Sequence, residues 1–234
     1  MKKIRIEKLS NQAVEIYQKF QQQTGSERIA TPVNLEALLR LCREIKPQRI
    51  LELGGGIGTI SYTLLNNSEA ALDIYEDNEF CQKKLRENLA PFMGRFQILE
   101  TYRLLPPSRE YDLIVVDGGN GKSWDGGFNQ AIWFYLHYLK SVKTIYVEGY
   151  RRLQRFWARK ALRHRYLYNL VQYDKMDWEG ISWKGGLLME CRPSSSAIFR
   201  FLNFVYWELI EWYSIKNFLE YRWGRFKSAL GRLK

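Results

Sequence analysis

The sequence predicts an α/β chain built on a doubly wound, mostly parallel sheet, followed by an amphipathic helical tail. Three observations carry this. An apolar strand, Ile50-Leu51-Glu52-Leu53, runs directly into Gly54-Gly55-Gly56-Ile57-Gly58. A strand ending in such a loop builds a ligand site, because residues without Cβ take positive φ and let a ligand approach the backbone. A second strand, Ala70 to Tyr75, ends in Glu76-Asp77, about 20 residues beyond the glycines, where a ribose-binding carboxylate is expected. Beyond it, strands and amphipathic helices alternate as far as Cys191, the order of a doubly wound fold.

In chain order, residues 1–30 read as an N-terminal helical extension. Thr31-Pro32-Val33-Asn34 introduces a helix over Leu35 to Ile45, with Pro32 suited to a first turn. The glycine strand and loop follow, then the strand ending at Glu76, where Asp77 is the expected N-cap of a helix from Glu79 to Leu89. Phe96 to Leu99 is a short strand. Tyr111 to Asp117 is almost wholly apolar, as a central strand buried on both faces should be. A helix from Phe128 to Lys140, a strand from Lys143 to Glu148 and a helix from about Arg151 to Arg165 continue the alternation. Tyr166 to Tyr173 and Gly186 to Cys191 form a closing pair of strands joined by a loop over Asp174 to Gly185.

Glu52, Gly54, Gly56 and Gly58 are spaced Glu-x-Gly-x-Gly-x-Gly. A nicotinamide-binding loop reads Gly-x-Gly-x-x-Gly, whereas here the last glycine arrives one residue early and Thr59 takes its position. With the acid-ended second strand, this segment resembles the first motif of the class I S-adenosylmethionine-dependent methyltransferases. The resemblance covers Thr31 to Arg192, so that 31–193 reads as the domain and 197–234 as an added tail. It implies a Rossmann-like sheet of about seven strands with the last antiparallel. It also implies S-adenosylmethionine as cofactor, with Gly54, Gly55, Gly56 and Gly58 along its methionine portion, Glu52 near its amino group and Glu76 on its ribose. A carboxylate suits two adjacent hydroxyls because it offers an acceptor oxygen to each.

The helix before the glycine strand is similar to that of the catechol and caffeoyl-coenzyme-A type O-methyltransferases. Ligands of such sheets lie beyond the carboxyl ends of the strands, which brings Asp117, Gly118, Gly119 and Glu148 to the site. The resemblance makes Asp117 a cofactor-binding and catalytic candidate, and Asp117 with Glu148 a candidate magnesium pair; Glu148-Gly149 stands where the metal-dependent enzymes carry Asp-Asn. Their general-base lysine falls on Asn120, leaving Lys122 nearby as the alternative base. No Asn/Asp-Pro-Pro-Tyr/Phe follows Val116, which argues against amino-group methylation of nucleic acids. The implied activity is O-methylation of a small-molecule or membrane-associated acceptor. An RNA or protein methyltransferase and a catalytically silent binding protein of the same fold are the alternatives.

Other features bear on partners. The chain of 234 residues carries a net charge of +11, which favours a polyanion. Arg151, Arg155, Arg159 and Arg163 recur every fourth residue, opposite Leu153, Phe156, Trp157 and Leu162, and read as an outward positive stripe. His137, among aromatic neighbours, reads as a packed helix residue. Cys42, Cys81 and Cys191 lie far apart in predicted elements and read as reduced thiols, and no apolar run follows the basic start, so a cytoplasmic protein is expected. After Arg192-Pro193-Ser194-Ser195-Ser196, the tail is dense in aromatics and ends with Arg222, Arg225, Lys227, Arg232 and Lys234. Glu208, Glu211 and Lys216 oppose a membrane span, each costing about 2.5–3.5 kcal/mol at a bilayer centre. Peripheral contact with the inner face of a membrane or homodimerisation through 197–234 is expected instead.

Overall fold

The computed structural model describes residues 1–102, 104–118, 128–149 and 151–212. The chain opens with strand β1 (Lys2–Ile4) and helix α1 (Asn11–Gln21), followed by α2 (Pro32–Ile45). Next come β2 (Arg49–Leu53), α3 (Thr59–Asn66), β3 (Ala71–Tyr75), α4 (Glu79–Asn88) and β4 (Phe96–Leu99). The second half holds β5 (Glu110–Val116), α5 (Phe128–Tyr138), β6 (Ser141–Val147), α6 (Arg152–Leu162), β7 (Tyr166–Tyr173), β8 (Met176–Trp178), β9 (Ile181–Trp183) and β10 (Leu187–Pro193). A further helix occupies 197–212.

Eight strands form one sheet in the order β1-β7-β10-β6-β5-β2-β3-β4. The predicted seven are all present, and β10 is antiparallel to both β6 and β7. The eighth is β1, drawn from the N-terminal segment: Lys2 to Ile4 pair in parallel with Val171 to Tyr173. It gives the outer edge of β7 a hydrogen-bonding partner that an exposed edge strand would otherwise lack. The extension is therefore part strand and part helix. The loop between β7 and β10 also differs from expectation, since β8 and β9 pair within it as a small antiparallel hairpin.

Period-two alternation distributes the core to both faces of the sheet. Ile50, Leu113, Val115 and Leu188 pack with α1, α2 and α3. Leu51, Leu53, Ile114, Val116, Leu187 and Met189 pack on the other side, with α5 and α6. Local signals set the helix ends: Thr31 caps α2, accepting from the Asn34 N–H, and Pro32 is its first residue. On α4 the cap is Asn78, whose side chain accepts from the Cys81 N–H at 3.1 Å. Asp77 is left to line the cavity described below.

Helix α6 corrects the reading of an outward arginine stripe. Arg155 and Arg159 are each 2 % exposed, whereas Leu153 is exposed and Phe156 and Trp157 are half-buried. Arg159 Nε donates to Glu208 at 2.7 Å, and Arg155 Nη1 lies 3.9 Å from Glu211. Carboxylates on helix 197–212 thus turn the charged face inward. The polyanion reading keeps the net charge of +11 but loses Arg155 and Arg159 as surface contacts.

Candidate functional site

The loop after β2 is shaped by what its glycines must avoid. Gly54 has φ +94°, and a Cβ there would sit 2.2 Å from the Asp117 carbonyl oxygen. This close approach brings the ends of β2 and β5 together. Gly56, at φ +52°, faces open space, and its N–H donates to Glu76 Oε2 at 2.7 Å. Gly58 starts α3 and packs on Leu85.

Over this loop lies a cavity of about 810 Å³ lined by Gly54, Gly55, Gly56, Glu76, Asp117 and Arg151, among others. One wall comes from the N-terminal segment, where Glu27, Arg28, Ile29 and Ala30 face the glycines. Tyr102 contributes an aromatic ring and stacks on Tyr75. Glu76 Oε1 also accepts from the Asn78 N–H at 2.9 Å. Burial raises the Glu76 pKa against those backbone donors. The carboxylate keeps acceptor capacity for a ligand beside those donors.

The predicted residues divide. Gly54, Gly55, Gly56, Glu76 and Asp117 line the cavity. Glu52 does not: it is fully buried behind the loop, accepts from Ser61 Oγ at 2.6 Å, and has no partner at Oε1 among the described residues. Burial pushes its pKa far up, aided by Asp117 and Glu76. Gly119, Asn120 and the candidate base Lys122 lie outside the described residues.

The expected magnesium pair holds an arginine. Arg151 Nη2 lies 2.6 Å from Asp117 Oδ1 and Arg151 Nε lies 3.3 Å from Glu148 Oε2, while Nη1 donates to the Gly118 carbonyl at 3.1 Å. Burial raises the pKa of Asp117, opposed by Arg151. Glu148 is raised to about 7 by burial and by Asp117, against the pull of Arg151. The two carboxylates hold the Arg151 proton more tightly than burial loosens it. A hard dication needs several oxygens converging on one point. These two carboxylates converge on a guanidinium instead, and no group of three His, Cys, Asp or Glu suited to a metal occurs among the described residues. The residues present do not fit magnesium.

Sequence reasoning missed Asn34 and Arg151. Asn34 is fully buried, and its Nδ2 donates to Glu148 Oε1 at 2.8 Å and to the Lys184 carbonyl at 3.0 Å, while Tyr146 donates to its Oδ1. It therefore ties α2 and the hairpin loop to the end of β6. A second cavity of about 700 Å³ opens at this junction, lined by Glu148, Arg151, Arg152, Leu153, Trp183 and Lys184, among others. Arg151 lines both cavities, and Glu148 lines the second.

The sheet order with its inserted antiparallel strand, and a glycine loop facing an acid-ended neighbouring strand, define the class I methyltransferase fold. No protein-family model matches the chain. No curated protein matches it in sequence. Solved structures do match. The O-methyltransferase TomG from Streptomyces achromogenes, involved in tomaymycin synthesis and crystallised with S-adenosylmethionine, is 14 % identical with a TM-score of 0.56 over 79 % of this chain and 91 % of its own. The O-methyltransferase from Bacillus cereus in complex with SAH is 13 % identical with a TM-score of 0.56, over 80 % and 92 %. The tRNA (m1A58) methyltransferase TrmI from Aquifex aeolicus is 13 % identical with a TM-score of 0.56, over 79 % and 76 %.

Proposed function

We propose that this chain is an S-adenosylmethionine-dependent methyltransferase that methylates a hydroxyl of a small-molecule or membrane-associated acceptor. The observation that carries the reading is the cradle at Gly56, where a positive-φ glycine with nothing in front of it is held against the buried carboxylate of Glu76. When bound, S-adenosylmethionine would supply an electrophilic methyl group to the acceptor oxygen by in-line displacement and leave as S-adenosylhomocysteine. The chain's own contribution is positional. Glu76 would accept from the ribose hydroxyls, the backbone of Gly54, Gly55 and Gly56 would lie along the methionine portion, and Asp117 lines the same cavity.

The acceptor occupies the second cavity. Glu148 lines it, and Asn34 fixes its orientation. In this reading Glu148, whose carboxylate is held by Arg151, takes the hydroxyl proton. Arg151, Arg152 and Lys184 on the wall favour an acceptor that also carries an anionic group. The burial of Arg155 and Arg159 removes one feature that had favoured an RNA acceptor.

Calorimetric titration with S-adenosylmethionine and S-adenosylhomocysteine tests the reading. Micromolar binding, about −8 kcal/mol, that weakens sharply in Glu76→Ala is expected. Absence of binding by folded wild-type protein would leave a silent domain that keeps the fold for interaction.

A further inference from the structure

We propose that helix 197–212 and the outer side of α6 form a docking face for a bilayer surface with anionic headgroups. The two helices pack inside out. On helix 197–212 the polar groups face the domain. Asn203 accepts from the Tyr168 N–H at 3.1 Å and donates to its carbonyl at 3.0 Å, and Glu208 and Glu211 reach the buried arginines of α6. Trp207, 5 % exposed, anchors the same side. The opposite side presents Ile198, Phe199, Phe201, Leu202, Leu209 and Trp212, all exposed, from 54 % at Leu202 to 70 % at Ile198.

On α6, which the same helix packs against, Leu153 is exposed and Phe156 and Trp157 are half-buried. A helix on a water-facing surface has the reverse order, polar outward and apolar inward. Charges kept inside and large apolar side chains turned out fit a medium less polar than water.

Charge identifies that medium. Lys160 lies 4.4 Å from the Trp157 ring centroid and Arg163 lies 5.1 Å from that of Phe204, so cations fringe the aromatic side. Beyond Trp212 the sequence interleaves Trp223 and Phe226 with Arg222, Arg225 and Lys227, and has no acid after Glu220. Two copies of a chain of net charge +11 repel each other, whereas an anionic lipid surface attracts them. No described helix is long and apolar enough to cross a membrane, so the helix lies along the surface.

Flotation of the full chain with vesicles of phosphatidylcholine alone and of phosphatidylcholine mixed with phosphatidylserine tests the proposal. The comparison is the Phe199→Ser/Phe201→Ser/Leu202→Ser/Leu209→Ser variant, with circular dichroism and thermal melting as fold controls. The wild type should float with the anionic vesicles and less with the neutral ones. The variant's partitioning should fall by more than about 100-fold. Phe199→Ser alone, the gentler change, should lose about ten-fold. Wild type that stays in solution with both vesicles overturns the proposal, as does quadruple-variant binding equal to wild type. A wild-type dimer that the variant dissociates, without flotation, assigns the face to a second copy instead. A monomer that ignores vesicles overturns the proposal as well.

Discussion

Arg151 is a single guanidinium shared by two carboxylates from different strand ends. Removing it by Arg151→Ala sets Asp117 and Glu148 against each other. Its side chain is only 24 % exposed, so the loss should approach the about 3 kcal/mol of a broken buried pair, measured by urea unfolding. The vacated space then has the oxygens a dication wants. Magnesium should raise the melting temperature of this variant and leave that of the wild type unchanged. Glu148 gives a second expectation at this scale. Its pKa rises from 4.5 in the unfolded chain to about 7 in the fold, so the folded state holds a proton that the unfolded state releases. This stabilising contribution is complete below pH 4.5 and fades as pH rises toward 7. Thermal melts of Glu148→Gln should show a flatter decline than wild type across that window. Glu76 was legible in the sequence because strand length and the offset from the glycines place it. Arg151 and Asn34 were not, because the Asn34–Glu148 bond joins residues 114 apart and nothing local announces it.

Element α6 shows where pattern reading stops. Four-residue recurrence reveals that a helix has two faces; it does not say which one is inside. Here the decision belongs to Glu208 and Glu211, on a helix that begins after the whole sheet is complete. Glu208→Ala leaves Arg159, whose side chain is 3 % exposed, facing a vacancy, and should destabilise the protein by about 3 kcal/mol in urea melts. The double change Arg159→Met/Glu208→Met should cost far less, because well-packed apolar groups often replace a buried ion pair without loss. The contrast between the two variants measures how much of the penalty is uncompensated charge. The hairpin β8–β9 and strand β1 were hidden for a different reason. Three residues each are too few for alternation to stand out, and a larger structure must be present before such pieces find partners.

At the scale of the molecule, the central sheet was readable because a doubly wound fold writes itself as long apolar strands separated by amphipathic helices. Its edges and attachments were not. The tail beyond Ser196 read as an addition to the domain, while its helix seats Trp207 against Tyr168 and closes over the α6 arginines. Truncation after Ser196 should therefore lower the melting temperature well below that of the full chain, measurable by calorimetry. It would uncover the β7 face and strand two buried cations.

The direction of that helix has a kinetic meaning. Phe204 lies by Arg163, Glu208 by Arg159 and Glu211 by Arg155, so it runs antiparallel to α6 and delivers Trp212 toward the end of α6 that borders the second cavity. On the docking face proposed above, a methyltransferase would meet its acceptor by lateral diffusion within a leaflet. Turnover would then follow the mole fraction of acceptor among the lipids, and diluting the acceptor with inert lipid would slow the reaction even when the total amount in the tube is constant.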